Sequence, residues 1–347
     1  MIYDCFTFLN ELDLLEVRLN TLYKKVDFFV LVEADKDFIG RSKPLYFKEN
    51  KKRFKAFKSK IIHVEIKDLS SKNAWQREYF QRNAIMRGLK RCKPNDLVII
   101  SDIDEIPNPE ILKTKLDFSV LEQNLYYYKF NCQNITQPWR RSVILKFNRL
   151  DSPQAARDIA INLHENPRIP VVPNAGWHFS YLGSSQNIKQ KIQSIAHQEF
   201  NQSKYTDPEG ISQKVSSASD LFNRPEFIFR FVELDNSFPA FIRKNKEKYS
   251  KYIHPLTSQE KELLVKEKPL FDYLYRINQQ VIDLSRNNHE LIREKKETVA
   301  KLKKTARKKE QEISNIKKTL RWRIPNLLYK TFFQAPKPKP KPNKINQ

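Results

Sequence analysis

Leu97-Val98-Ile99-Ile100-Ser101-Asp102-Ile103-Asp104-Glu105-Ile106-Pro107 changes character halfway, and that change decides the fold. Four consecutive apolar residues, Leu97 to Ile100, leave no face for solvent, which predicts a strand covered on both sides. The strand then runs straight into Asp102, Asp104 and Glu105. In open α/β sheets ligands bind outside the carboxyl ends of the strands, where this acidic turn falls. Asp102 and Asp104 are two residues apart, so an extended backbone would turn both carboxylates to one side. Carboxylates so placed repel unless a cation lies between them, and hard oxygen ligands select Mg²⁺ or Mn²⁺. An acidic loop that only caps the next helix would read the same way. The strand before it and Glu105 beside it favour the metal.

Upstream of this stretch, strands and helices alternate. Residues 2–8 read as a strand, followed by a helix with Leu12, Leu15, Leu19 and Leu22 on one face and Asn10 as its cap. Residues 27–33 and 61–66 are further strands, and a helix is expected from about Asn73 to Arg91. Such alternation predicts an α/β fold with a mainly parallel central sheet covered by helices. Downstream, Asn108-Pro109 starts a helix, residues 124–180 are richer in strands, and a helix resumes at about 187–200. The globular part is expected to span 1–258.

Residues 259–320 read as a charged helical extension. Val299, Leu302, Ala306, Ile313, Ile316 and Leu320 keep a heptad-like spacing that would pair two copies as a coiled coil. Residues 321–347 form a basic aromatic patch (Trp322, Phe332, Phe333) and a disordered Lys/Pro tail. The net charge of +24 is uneven: from Val281 to the end 19 Lys/Arg face 6 Asp/Glu, so 13 of the excess charges lie in the last fifth. A whole-chain argument for nucleic-acid binding fails on that distribution, and an anionic membrane surface is the better match for the tail. Three cysteines without a CxxC spacing read as reduced thiols, and neither a signal peptide nor a membrane span is visible. A cytoplasmic chain, peripheral at the cytoplasmic face of a membrane, is the expectation.

Six further stretches accompany the acidic turn in order: IYDCFTFLNELDLLEVRL from Ile2, FVLVEA from Phe29, KPLYF from Lys43, WQREYFQRNAIMRGL from Trp75, AGWHFSYLG from Ala175 and, more weakly, DLFNR from Asp220. With SDIDEIP from Ser101, this set resembles glycosyltransferase family 17, the β-1,4-mannosyl-glycoprotein 4-β-N-acetylglucosaminyltransferase family, over roughly residues 2–255. The resemblance implies a GT-A-like domain, a UDP-sugar donor (UDP-GlcNAc in the family) and inversion at the sugar carbon. It also implies that Asp102 and Asp104 hold the metal and the nucleotide. His178 is a candidate third metal ligand, with a satisfied core histidine as the equal alternative. Arg77 and Arg82 share the helix before the acidic strand and would grip a diphosphate in a bidentate way. Their alternative is a solvated helix face paired with Glu78. Tyr3, Phe6 and Asn10 are either nucleotide neighbours or, for the aromatics, core.

An inverting transfer needs one carboxylate to deprotonate the acceptor hydroxyl. Asp158 and Glu165 follow the metal motif at a suitable interval, and Glu105 is the near alternative. The acceptor is expected to be a glycan or a lipid-linked molecule. Two other classes compete: a non-catalytic membrane-surface or nucleic-acid binding protein acting through its basic tail, and a metal-dependent phosphohydrolase using the same aspartates.

Overall fold

The computed structural model describes residues 1–69, 73–113, 116–166 and 168–323, in two compact units, Met1–Asn287 and Asn288–Gln347. The strands of the first unit are β1 (Ile2–Phe8), β2 (Phe28–Ala34), β3 (Ile61–Ile66), β4 (Leu97–Asp102), β5 (Glu105–Pro107), β6 (Phe118–Tyr127), β7 (Cys132–Asn134), β8 (Trp139–Lys146), β9 (Val171–Val172), β10 (Gly176–Ser180) and β11 (Phe229–Phe231). Helices α1 (Leu12–Leu22), α2 (Tyr46–Glu49), α3 (Ala74–Asn83), α4 (Pro153–Ile161), α5 (Ser185–Ser194), α6 (Ser203–Thr206), α7 (Pro208–Ser216) and α8 (Ala240–Lys244) join them. Helix α9 (Ser258–Arg323) begins in this unit and continues into the second.

The strands lie in the order β11-β7-β6-β8-β4-β1-β2-β3, with β10 between β5 and β6 and β9 against β6. Strands β3, β2, β1 and β4 are parallel neighbours, while β8 runs antiparallel to both β4 and β6. The expected mainly parallel sheet is continuous only across this four-stranded block; β6 pairs parallel with β9 and β10 but antiparallel with β7 and β8, so the whole sheet is mixed. The reason is connection length. Only a short stretch carrying β7 joins β6 to β8, and a parallel crossover needs a dozen or more residues.

Within the parallel block, alternate residues face opposite layers. Tyr3, Cys5, Val30, Val32, Val98 and Ile100 pack with Ile85, Leu89, Ala156 and Ala160. Phe6, Phe8, Phe29, Leu31 and Ile99 pack with Leu15, Leu19 and Leu22 of α1. Both faces are covered, which is why β2 and β4 carry the unbroken apolar runs at residues 28–32 and 97–100. Cys5 and Cys132 are buried, and all three cysteines are free thiols.

Helix ends differ from expectation where side chains find better partners. Glu11, not Asn10, stands at the start of α1, and its carboxylate accepts the amides of Leu9 (3.2 Å) and Asn10 (3.0 Å). Asn73 caps α3 as its side chain accepts from the Gln76 amide at 2.8 Å. That helix does not run to Arg91; it tightens into a 3-10 turn over Ala84–Gly88. A Cβ on Gly88 would lie 2.4 Å from Val30 Cγ1, so the chain meets the sheet at a glycine. Asn108 caps only the 3-10 turn Pro109–Lys113, accepting from the Glu110 amide at 3.1 Å.

The first turns of α9 belong to the domain. The Arg230 guanidinium lies 4.1 Å from the Phe271 ring centroid. Tyr275 donates to Glu122 (3.3 Å), Arg140 donates to Gln279 (2.7 Å), and the Asn278 amide donates to the Thr136 carbonyl. In the second unit α9 exposes Val299, Leu302, Ile313 and Ile316. The side chains of Leu320 and Trp322, and all of Phe332, Phe333 and the Lys/Pro segment, lie outside the described residues. Among the described residues no helix is long and apolar enough to cross a membrane.

Candidate active site

Strand β2 follows β1 on one side, and β4 returns to the other side of β1. The carboxyl ends of β1 and β4 therefore form a topological switch point, where open α/β sheets bind ligands. Phe6 pairs with Ser101 and Thr7 with Asp102, so the acidic turn opens at that point. At the same end of the sheet, Asp35 follows β2 with its Oδ1 buried and without a hydrogen-bond partner.

The turn is held from beneath by one arginine. Arg18 of α1 is fully buried over the Phe6 ring and forks onto Asp4, at 2.8 Å from Nε and 2.6 Å from Nη2. Its Nη1 donates to the carbonyls of Asp102 (2.8 Å), Ile103 (3.2 Å) and Glu105 (2.9 Å), and Nη2 donates to Ser101 Oγ (2.5 Å). A tight turn points several carbonyls inward, and this guanidinium satisfies them where water is excluded.

Glu105 is the second anchor. Its fully buried carboxylate accepts from Arg157 twice (2.5 and 2.6 Å), Trp139 Nε1 (2.5 Å), Ser142 Oγ (2.8 Å) and the Asp102 amide (2.9 Å). Burial alone would raise its pKa, but Arg157 outweighs burial and holds it at about 2. A carboxylate so saturated has little basicity left for an acceptor hydroxyl. Glu105 is engaged from several sides in building the turn.

Asp102 and Asp104 part company. The backbone turns after Asp102, so the extended geometry expected from their spacing is absent. Asp102, its side chain about a third exposed (32%), is met by Arg157 at 2.8 Å and by Arg82 at 3.3 Å. Asp104 is buried against Lys191 of α5 at 2.7 Å and His178 Nε2 of β10 at 3.5 Å. Burial opposes its charge, yet Lys191 and His178 hold its carboxyl far below the usual range, and Lys191 is raised in return. His178 packs on Trp139 with ring centroids 4.3 Å apart, and its Nδ1 is buried without a hydrogen-bond partner. The histidine therefore lies beside the aspartate, but it is not a satisfied core residue. Among the described residues no three His, Cys, Asp or Glu side chains are grouped so as to hold a metal ion.

The other expected residues divide. Arg82 is buried between Glu78 (2.7 Å), Gln154 (2.5 Å) and Asp102. Arg77 donates through Nε to the Phe38 carbonyl at 2.6 Å. Asp158 is exposed on α4 and accepts from Gln154 at 2.7 Å, the glutamine that also receives Arg82. Glu165 is exposed at the end of the 3-10 turn Leu163–Glu165, beside His164 at 3.8 Å. Tyr3 and Phe6 are core. Sequence reading missed Arg18, Arg157, Lys191 and Trp139. Arg18 carried a signal, being a charge inside the apolar stripe of Leu15, Leu19 and Leu22. Arg157, beside Asp158 on α4, and Lys191 carried no such signal.

Compared with known proteins, residues 1–255 match the model described as glycosyltransferase family 17. The human and rat β-1,4-mannosyl-glycoprotein 4-β-N-acetylglucosaminyltransferases are each 31% identical over 108 residues, which is 28% of this chain and 20% of theirs. The mouse protein is 30% identical over the same length. The chain thus spans about a fifth (20%) of the length of the curated relatives it matches.

Proposed function

The chain belongs to glycosyltransferase family 17, and from that premise we propose that it transfers N-acetylglucosamine from a UDP-sugar to a hydroxyl of a glycan or glycolipid, with inversion at the sugar carbon. The observation that carries this reading is the acidic turn at the switch point between β1 and β4. It also supports a GT-A-like assignment, in which the nucleotide lies across the carboxyl ends of the parallel block. The unpartnered Asp35 Oδ1 is suited to a donor group of the nucleotide.

Cations gathered at the turn match the diphosphate. Lys191, Arg82 and Arg157 reach the carboxylates from three different helices, and phosphate oxygens are their natural second partner. For Mn²⁺ or Mg²⁺, Asp102 and Asp104 are the hard-oxygen candidates and His178 the nitrogen one, but they do not converge on one point, because Asp104 is paired with Lys191 and with the Nε2 edge of His178; donor phosphates would have to supply most of the shell. Such an ion, when bound, neutralises charge on the nucleoside-diphosphate leaving group. Arg18 and Glu105 hold the backbone of the turn in place beneath Asp102. For the base we assign Asp158, exposed on the helix that delivers Arg157 to the turn, with Glu165 as the alternative.

The test is UDP binding and UDP-GlcNAc turnover with Mn²⁺, in the wild type and in Asp104→Ala. Metal-supported binding and turnover, lost in the folded variant, are expected; a wild type that neither binds UDP nor turns over any UDP-sugar ends the proposal. A peripheral role for the tail rests on the Lys/Arg-rich α9 beyond residue 288, whose exposed apolar residues suit an anionic membrane or a second copy. Removing it should spare UDP binding.

A further inference from the structure

Trp75 and Tyr79 are large aromatic side chains of the globular unit that stay exposed, at 38% and 40%. They sit one turn apart on α3, with ring centroids 6.2 Å apart. Trp75, Glu78, Tyr79 and Arg82 share one helical face, spaced at three, four and seven residues. Arg82 closes that face on Asp102, so Trp75 and Tyr79 stand about 10 Å and about 5 Å along the helix from the arginine that meets the acidic turn.

A second segment makes the same journey. Lys191 of α5 holds Asp104, and His197, just beyond the end of α5, meets Trp75 edge to face at 4.5 Å and 82°. Glu199 fixes the His197 ring through Nδ1 at 2.6 Å, and both of these side chains are about half exposed (49% and 55%). An exposed indole and phenol are thus bordered by an imidazole and a carboxylate. That is the chemistry of a pyranose: its C–H face packs on a π-surface while its hydroxyls bond to polar groups at the edge. Two of the charged groups that flank the pair, Glu78 on the same helical face and Glu199 on His197, are carboxylates, which suit sugar hydroxyls better than phosphate.

We infer that Trp75, Tyr79 and the His197–Glu199 pair form a carbohydrate subsite that holds the acceptor one to two sugars away from the reacting hydroxyl. The inference rests on the glycosyltransferase reading for its purpose, though not for its measurement. Acceptor binding there would place the oligosaccharide along the α3 face toward Asp102.

The experiment titrates the full chain with chitotriose and with mannotriose by calorimetry, and separately with UDP and Mn²⁺, in wild type, Trp75→Ala, Trp75→Phe and Tyr79→Ala. Expected is binding of at least one trisaccharide, weakened about tenfold in Trp75→Ala and less in Trp75→Phe, with UDP affinity unchanged. UDP-GlcNAc hydrolysis to water should persist in Trp75→Ala while transfer to the trisaccharide falls. Failure of the wild type to bind either trisaccharide overturns the subsite, as does a Trp75→Ala variant that loses UDP instead. If UDP binding and turnover are absent but trisaccharide binding still depends on Trp75, the catalytic reading fails and the subsite stands.

Discussion

Arg157 and Glu105 form a bidentate pair at 2.5 and 2.6 Å with both side chains inside the protein. The pair ties α4 to the turn that follows β4. Removing one partner strands the other charge, so Glu105→Gln and Arg157→Met should each lose about 3–5 kcal/mol of stability. The double variant Glu105→Leu/Arg157→Met should lose clearly less than the sum. Urea denaturation measures all of these; single variants as stable as the wild type would refute the anchoring role.

Acid should expose the same pair. Glu105 is held at about 2 against an ordinary 4.5, because Arg157 outweighs the opposing effect of burial. Its contribution is complete above about 4.5, the unfolded value, and disappears as pH falls through about 2. The depression corresponds to about 3 kcal/mol. Urea midpoints measured between those pH values should fall steeply for the wild type and more gently for Glu105→Gln.

Arg18 contacts three carbonyls of the turn and the Asp4 carboxylate, and no other side chain reproduces that fork. Arg18→Lys should cost about 2–4 kcal/mol and loosen Ser101–Glu105. We expect weaker UDP binding at a temperature where the variant remains folded. Calorimetric binding beside thermal unfolding separates the two effects.

Asp158→Asn should lower sugar transfer by about 10²–10⁴-fold with UDP affinity intact, as expected for loss of a general base. Glu165→Gln should then have little effect. Transfer rates under saturating donor decide between them, and an active Asp158→Asn moves the role to Glu165.

Truncation after Asn287 and after Thr257 should differ. The longer fragment keeps Phe271, Tyr275, Asn278 and Gln279 on the domain. The shorter one loses these contacts, at roughly 2–4 kcal/mol. Equal thermal stabilities would show that α9 contributes nothing before residue 288.

Much of this architecture follows from local pattern. Residues 97–100 read as a buried strand because no alternation is left for solvent, and the same holds for β2. The Leu stripe of α1 points to the core because 3.6-residue periodicity places Leu15, Leu19 and Leu22 on one side. Local pattern also located the acidic turn at a strand end. It misjudged the direction of Asp102 and Asp104, since a turn breaks the period of two on which that reading depended.

What only the tertiary structure decided is which charges meet. Arg18, Arg157 and Lys191 lie 84, 52 and 87 residues from their partners in the turn. No short-range rule couples positions so far apart; sheet order and helix packing do. The same physics separates the three acids. Glu105 is drawn under the turn by Arg157, Asp104 is neutralised by Lys191, and Asp102 keeps a face toward solvent. Leu97–Glu105 by itself determined that a buried strand would end in carboxylates. The packing of α1, α4 and α5 around it determined which carboxylates are buried against cations and which one keeps a face toward solvent.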